Sequence, residues 1–357
     1  MKLIILGSIS SIHVVRLANH FVSKDINVTV ISISTSSFHS IDDRVSIYRF
    51  PYLGAFSYYL YFPFVKMLIT LLRPDIVNAH YASGYGTLGR LVNFRPFVLS
   101  CWGSDVYNFP LISKFNYSLL KKNLLFSDVV ASTSLCMAEQ IRSFFNYKNT
   151  IEITPFGVDL SQFSFDRTKL VLNRSPNIVI GTVKSLNHIY GIDNLIYAFH
   201  LLNKRCPEYN LTLRIAGSGP QESFLRKVVA DLNLSSKVEF VGHISNNLVC
   251  DFLSTLDIFA CLSREESFGV SIIEAAAMHL PLVVSNAPGL SEIVDGNSVG
   301  LIVPIDDIQA SCDALYSLTI DPDLRFSFGK NAYDLIMSNY SLDSTASGLI
   351  SLYKKLL

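Results

Sequence analysis

Short runs of consecutive apolar residues punctuate the chain from one end to the other, with segments of helical periodicity between them. The runs do not alternate polar with apolar. Strands formed from them must therefore be covered on both faces, as in a parallel sheet. In the first half they are Lys2–Leu6, Val28–Ile33, Val45–Tyr48, Ile76–Ala79, Phe97–Cys101, Val129–Ser132 and Ile151–Thr154, with helices such as Ile12–Val22 and Ala138–Phe145. The series stops at Ser164–Pro176, a polar stretch closed by a proline, and then restarts. Strands are predicted at Ile178–Val183, Leu211–Ala216, Val238–Val241, Ile258–Ala260, Leu282–Val284 and Gly300–Val303. Helices are predicted at Ile192–Leu202, Gln221–Leu232, Leu248–Leu256 and Val270–Met278. Two successive βα series predict an α/β protein of two Rossmann-like, doubly wound domains facing a central cleft. The expected division is a first domain at 1–163, a linker at 164–176 and a second domain at 177–335. A C-terminal helical segment, 336–357, is expected to pack back on the first domain.

Composition narrows the function. Half of the 357 residues are apolar and 16% are charged, which excludes a largely disordered chain. Lys and Arg number 29, as do Asp and Glu, so a nucleic-acid protein relying on a broad basic surface is excluded. The mean hydropathy of +0.35 requires large cores or a surface that meets something apolar. Six cysteines are scattered without CxxC spacing, which disfavours a zinc site and fits reduced thiols in a cytoplasmic protein. The opening run Leu3–Gly7 is too short for a secretory signal and reads as a buried first strand.

The most informative segment is Arg264–Pro304. Glu266 and Glu274 are separated by seven residues, and Phe268-Gly269 lies between them ahead of a helix beginning near Val270. Gly269 lets the backbone approach a ligand, and the free amides of a helix start face a phosphate. Each carboxylate can accept two hydroxyl hydrogens. A ribose and a sugar joined by a diphosphate would satisfy all three parts. The plainer alternative makes both glutamates solvated. Against it, Glu274 is set among Ile272, Ile273 and Ala275–Ala277, where a carboxylate needs a partner.

This segment resembles the signature of the retaining glycosyltransferases of family 4, which have the GT-B fold. The resemblance rests on Glu266-Ser267-Phe268-Gly269, Glu274-Ala275, Leu280-Pro281-Leu282-Val283, Gly289 with Glu292, and Gly300-Leu301. Weaker matches extend it over nearly the whole chain. These are Pro74-Asp75-Ile76-Val77 with His80, Pro155-Phe156-Gly157-Val158-Asp159 with Phe163, Gly217-Ser218-Gly219-Pro220, Val241-Gly242-His243-Ile244 and Asp321-Pro322-Asp323-Leu324-Arg325. The resemblance implies that Glu274 binds the nucleotide ribose and Glu266 the donor sugar. It implies that amides of Phe268, Gly269 and Val270 hold sugar and phosphate. It places Gly217 and Gly219 at the donor side, and Gly242, His243 and Ile244 near the base.

The chain departs from the family at the diphosphate. The usual Arg and Lys positions carry Thr182 and Tyr190. Lys184 is the substitute cation, with His188 as a helper. Their alternatives are an exposed strand-end lysine and an unengaged histidine. In Cys101-Trp102-Gly103-Ser104-Asp105, Trp102 stands where the family often has His, and is either core or a platform for a sugar face. His13, His80, Trp102 and Asp105 are the acceptor-side candidates. The first βα turn, Gly7–His13, lacks the G-x-G-x-x-G of a dinucleotide enzyme. Asp321-Pro322-Asp323 is formally a D-x-D, but reads better as a helix N-cap. No metal or other cofactor is expected, and the nucleotide-sugar is a co-substrate.

Ala55–Phe64 is rich in Phe and Tyr and has three readings: a core helix, a membrane-interface surface, or a contact for a lipid-linked acceptor. With Lys114, Lys121 and Lys122 it suggests peripheral attachment to the inner face of the cell membrane. The expected activity is transfer of a sugar from a nucleotide-sugar to a hydroxyl of a saccharide or lipid-linked saccharide, in bacterial surface-polysaccharide assembly. Two other classes stay open: a non-catalytic nucleotide-sugar scaffold and a nucleotide-sugar epimerase.

Overall fold

The computed structural model describes residues 1–34, 40–163 and 175–357. Of the linker expected at 164–176, residues 164–174 lie outside the described residues. The chain divides into two units: Met1–Gly157 with Leu342–Leu357, and Val158–Ser341.

In the first unit the strands are β1 (Lys2–Leu6), β2 (Asn27–Ile33), β3 (Ser46–Phe50), β4 (Ile76–His80), β5 (Phe97–Cys101), β6 (Val129–Ser132) and β7 (Ile151–Ile153). They form a parallel sheet in the order β3-β2-β1-β4-β5-β6-β7. Its helices are α1 (Ile12–Ser23), α2 (Ser57–Leu72), α3 (Gly84–Val92), α4 (Ser104–Tyr107), α5 (Lys114–Phe126) and α6 (Leu135–Phe145). Alternate residues of β1 explain why its run is continuous. Ile4 and Leu6 enter a core with α2, α3, α5 and α6, whereas Leu3 and Ile5 enter a core with α1 and the C-terminal helix.

The second unit has β8 (Asn177–Val183), β9 (Asn210–Ala216), β10 (Val238–Gly242), β11 (Ile258–Cys261), β12 (Leu282–Ser285) and β13 (Gly300–Val303). Its order is β10-β9-β8-β11-β12-β13, again parallel. Its helices are α7 (Ile192–Arg205), α8 (Glu222–Asp231), α9 (Val249–Ser254), α10 (Val270–Ala277), α11 (Pro288–Val294), α12 (Ile308–Ile320) and α13 (Pro322–Leu335). The last helix, α14 (Leu342–Leu356), belongs to the first unit and packs on α1. Strand order reverses at β1/β4 in one sheet and at β8/β11 in the other. Just beyond the carboxyl ends of such a strand pair is where doubly wound sheets bind ligands.

Several boundaries differ from expectation for local reasons. The first unit ends at Gly157, because the Val158 amide donates to the Tyr340 carbonyl at 2.8 Å. Residues Ile336–Ser341 likewise stay with the second unit, so the returning segment begins at Leu342. Helix α6 starts at Leu135, where the Ser134 hydroxyl accepts from the Met137 amide. Asp321 is an N-cap whose carboxylate accepts from Leu324 at 2.9 Å, with Pro322 in the first turn.

The core reading of Ala55–Phe64 holds for one side only: Tyr58, Tyr61 and Phe62 are half-buried against the first core. Helix α2 buries Ser57, Val65 and Ile69, while Phe56, Leu60, Phe64, Met67 and Leu71 are exposed. No helix among the described residues is long and apolar enough to cross a membrane.

Helix α14 is tied into the first sheet by one buried bond, from Asn78 Nδ2 on β4 to the Tyr353 hydroxyl at 2.7 Å. The Ser100 hydroxyl donates to Asn78 Oδ1 at 3.1 Å and completes the group. Tyr353→Phe strands a buried amide hydrogen and should cost about 1–3 kcal/mol. Denaturant unfolding of the variant, with the slope unchanged, checks this.

Candidate active site

The second unit assembles its site from the carboxyl ends of β8, β9, β10 and β11. Lys184 follows β8 directly, and its amide donates to the Ala216 carbonyl at 3.0 Å. The neighbouring turn, Gly217–Gly219, lies along the backbone of Lys184–Leu186, and the Leu186 amide donates to the Ser218 carbonyl. Gly217 has φ of +142°, and a β-carbon there would overlap the Lys184 carbonyl oxygen. One at Gly219 would crowd the Leu186 carbonyl. Both glycines thus serve the seat of Lys184 through protein backbone. The Gly217 amide donates to the Gly242 carbonyl at 2.7 Å, which brings the end of β10 alongside. Beyond it His243 is exposed and Ile244 half-buried.

Lys184 Nζ forms an ion pair with Glu266 Oε2, and only 10% and 13% of the two side chains are exposed. The ammonium also lies 5.1 Å from the centre of the Tyr190 ring. Burial works against the charge on Lys184. The Cys261 sulfur and the Glu266 carboxylate outweigh it, and the amine is held well above its ordinary range. Burial pushes the Cys261 thiol itself upward, which favours its neutral form, so the carboxylate is the partner that counts. The reading of Lys184 as a solvated strand-end lysine is therefore wrong. Thr182 is wholly buried in the sheet, and its hydroxyl has no hydrogen-bond partner among the described residues. His188 is exposed and opens a short turn, His188–Tyr190, whose Asn187 side chain accepts from the Ile189 amide.

Glu266 reaches Lys184 from the loop between β11 and α10. The Gly289 amide at the start of α11 donates to the Glu266 carbonyl at 3.1 Å. Gly269 caps α10 with φ of +96°, and the Phe268 ring is buried 6.0 Å from Tyr340. In α10 all residues are buried except Val270 and Glu274, which are half-buried. Four apart, these two share one face of the helix. Glu266, the first turn of α10 and Glu274 thus follow one another along one loop and helix.

The same loop holds Arg264, which the sequence reading passed over. Its Nη1 and Nη2 donate to the two carboxylate oxygens of Asp193 at 3.0 and 2.8 Å, and Nε lies 2.8 Å from Asp306 Oδ1. Its amide donates to the Ile189 carbonyl at 2.7 Å. The guanidinium therefore clamps the Glu266 loop to α7 and to the turn after β13. Sequence spacing could not reveal this, because Asp193 and Asp306 are 71 and 42 positions away.

In the first unit the carboxyl ends of β4 and β5 carry a ring cluster. His13 stacks on Phe156 at 4.1 Å, and Trp102 meets Phe156 edge-on at 5.4 Å. Trp102 also lies 5.4 Å from His80. Trp102 is half-buried. His80 is 2% exposed, and among the described residues neither ring nitrogen has a hydrogen-bond partner. His80 and Thr133, whose hydroxyl is also unpartnered, line one cavity with Trp102 and Phe156. Burial lowers the His80 pKa to about 3, so the ring is neutral. Asp105 does not offer its carboxyl to solvent. Its fully buried carboxyl accepts from the amides of Ala82 at 2.7 Å, Gly103 at 2.8 Å and Trp102 at 3.0 Å, shaping the loop that carries Trp102. Phe156, central to the cluster, was visible only as part of Pro155-Phe156-Gly157.

Comparison with known proteins follows the same outline. The family model for glycosyl transferases group 1 matches residues 163–335, and that for glycosyl transferase 4-like proteins matches residues 2–134. The chain belongs to the family 4 glycosyltransferases. A lipopolysaccharide core biosynthesis mannosyltransferase of Rhizobium meliloti, LpsB, is 27% identical over 64% of this chain and 66% of its own. The first relatives matched are covered over between 48% and 66% of their own lengths. Sucrose-phosphate synthase from Thermosynechococcus elongatus superposes with a TM-score of 0.83 at 19% identity, covering 100% of this chain and 99% of that one. Anabaena HepE in complex with UDP gives 0.81 at 16%, covering 100% of both chains. These likenesses establish the GT-B fold.

In this family member two consequences of the geometry are measurable. Arg264→Lys keeps the charge but loses the planar fork on Asp193. Loosening the Glu266 loop should speed backbone amide exchange at residues 264–267 about tenfold, with thermal unfolding little changed; hydrogen-exchange mass spectrometry beside a melt tests it. The second concerns pH. The folded state keeps His80 neutral down to about pH 3, whereas the unfolded chain protonates near 6.5. Stability from this site is complete above about pH 6.5 and declines as pH falls toward 3, by up to about 1.4 kcal/mol per pH unit. Urea titrations at stepped pH should show a slope that His80→Phe flattens.

Proposed function

We propose that the protein is a retaining glycosyltransferase that moves a sugar from a nucleotide-sugar to a hydroxyl of a saccharide or lipid-linked saccharide. The observation that carries the reading is the Lys184–Glu266 pair at the β8/β11 switch point, beside the start of α10. A cation, a carboxylate and a helix N-terminus at that place match the diphosphate and hydroxyls of a nucleotide-sugar. Similar proteins support the class: LpsB is a lipopolysaccharide core biosynthesis mannosyltransferase, and HepE forms a complex with UDP.

In this reading Glu274 takes the ribose hydroxyls and Glu266 a donor-sugar hydroxyl. Lys184 and the α10 amides carry the charge that develops on the diphosphate as its bond to the anomeric carbon breaks. The acceptor oxygen bonds to that carbon from the same face, and its proton leaves with a diphosphate oxygen. Configuration is thereby retained. The charge pair replaces the Arg and Lys that the family usually carries at the positions of Thr182 and Tyr190. Bacterial surface-polysaccharide assembly is the proposed setting. Residues His243 and Ile244 are assigned to the base, and the rings of Trp102 and His13 to the acceptor.

A panel of UDP, GDP, dTDP and ADP sugars, observed by ligand NMR, tests the reading. One donor should bind selectively, and Glu274→Ala should weaken it at least about tenfold, the worth of a charge-assisted hydrogen-bond pair. Product released on acceptor addition should carry the donor's anomeric configuration. Equal binding by Glu274→Ala would remove the ribose assignment. A changed sugar without transfer would replace the transferase by an epimerase.

A further inference from the structure

The outer side of α2 bears a feature that the transferase reading leaves unused. At 100° per residue, positions 56, 60, 64, 67 and 71 fall within roughly 80° of arc, and Val65 and Ile69 fall on the opposite side. The buried side of α2 is therefore ordinary, and the apolar stripe is the side that faces solvent. Phe56 is 68% exposed, Leu60 40%, Phe64 55%, Met67 54% and Leu71 70%. A helix apolar all round belongs in a core or against an apolar medium, and α2 has the first on one side only.

Charge selects the medium. From Val45 to Pro74 the chain carries Arg49, Lys66 and Arg73 and no acidic residue. From Val106 to Ser127 it carries Lys114, Lys121 and Lys122, again without an acidic residue. Helix α3 packs against both α2 and α5, so these stretches belong to one side of the first unit. In a chain of zero net charge, the stretches that carry α2 and α5 are thus cationic. A second copy of the same face would be repelled. Tyr59 and Lys66 flank the stripe, the residue types that sit at headgroup depth when a helix lies in a bilayer surface.

We infer that the outward face of α2 docks on an anionic lipid bilayer, with Leu60, Phe64 and Met67 entering the acyl boundary and the flanking cations meeting lipid phosphates. The inference stands apart from the transferase assignment, since docking requires neither donor nor acceptor. Flotation of the full chain with phosphatidylcholine vesicles, with and without about a third phosphatidylglycerol, tests it. Binding should appear on the anionic vesicles only and weaken in about 0.5 M salt. The triple variant Leu60→Ser/Phe64→Ser/Met67→Ser should bind at least about tenfold less tightly with an unchanged melt. Phe56→Ser/Leu71→Ser, at the two ends of the stripe, should behave likewise and guards against misfolding of one variant. No flotation, equal flotation on neutral vesicles, or undiminished binding by both variants would overturn the inference. So would a wild-type dimer that the triple variant dissociates, because the stripe would then belong to a second copy.

Discussion

The buried ion pair of Lys184 with Glu266 is the interaction on which the arrangement of the second unit turns. Placing two charges where a tenth or so of each side chain meets solvent costs several kcal/mol of hydration per ion. Their attraction returns that cost only if both are held in register. A chain seeking stability alone would do as well with apolar residues there. What the pair supplies is a permanently charged amine at the carboxyl end of the first strand of the second sheet, already screened by a carboxylate. Under the proposed assignment, a diphosphate arriving there would meet a cation whose desolvation has been met in folding, which is the preorganisation on which electrostatic stabilisation of a leaving group depends.

Much of the surrounding structure is explicable as what keeps that pair in register. The Gly217–Gly219 turn lets two backbones run close enough to fix Lys184 from one side. Arg264 fixes the Glu266 loop from the other through Asp193 and Asp306. Burial opposes ionisation of Asp193, but the guanidinium beside it holds its carboxyl below the usual range. The loop is thus clamped by an ion pair. The Gly289 amide closes the far end by bonding the Glu266 carbonyl. Three contacts from three elements converge on a loop of a few residues, so a change in any of them reaches Glu266.

How much of this was legible beforehand follows from the range over which each signal acts. Strands such as Lys2–Leu6 and Phe97–Cys101 were read to the residue, because burial on both faces writes a local pattern. Glu266, Gly269 and Glu274 were legible because one loop and the helix after it carry all three. The Lys184–Glu266 contact spans 82 positions, and the Arg264 clamp spans 71 and 42, so only the fold brings them together. The setting of Asp105 was hidden for a related reason: the sequence shows a carboxylate at a strand end, not that three amides curl around it. Helix α2 was ambiguous in sequence because an all-round apolar helix has no face to read, and its exposure is a tertiary fact.

The two switch points differ in chemistry although their strand orders correspond. At β8/β11 the groups are ionic: an ammonium, a carboxylate and, one turn on, Glu274. At β1/β4 they are rings: His13, Trp102, Phe156 and an uncharged His80. A charged diphosphate would be poorly served by the second set, where burial already prevents a histidine from carrying charge. A sugar's apolar face and hydroxyls would be well served by it, since rings supply contact area and a neutral imidazole can both donate and accept. Under the proposed assignment this division follows from the substrates themselves: the leaving group is an anion that needs fixed charge, and the acceptor is a neutral hydroxyl that an unpaired charge would only burden with desolvation.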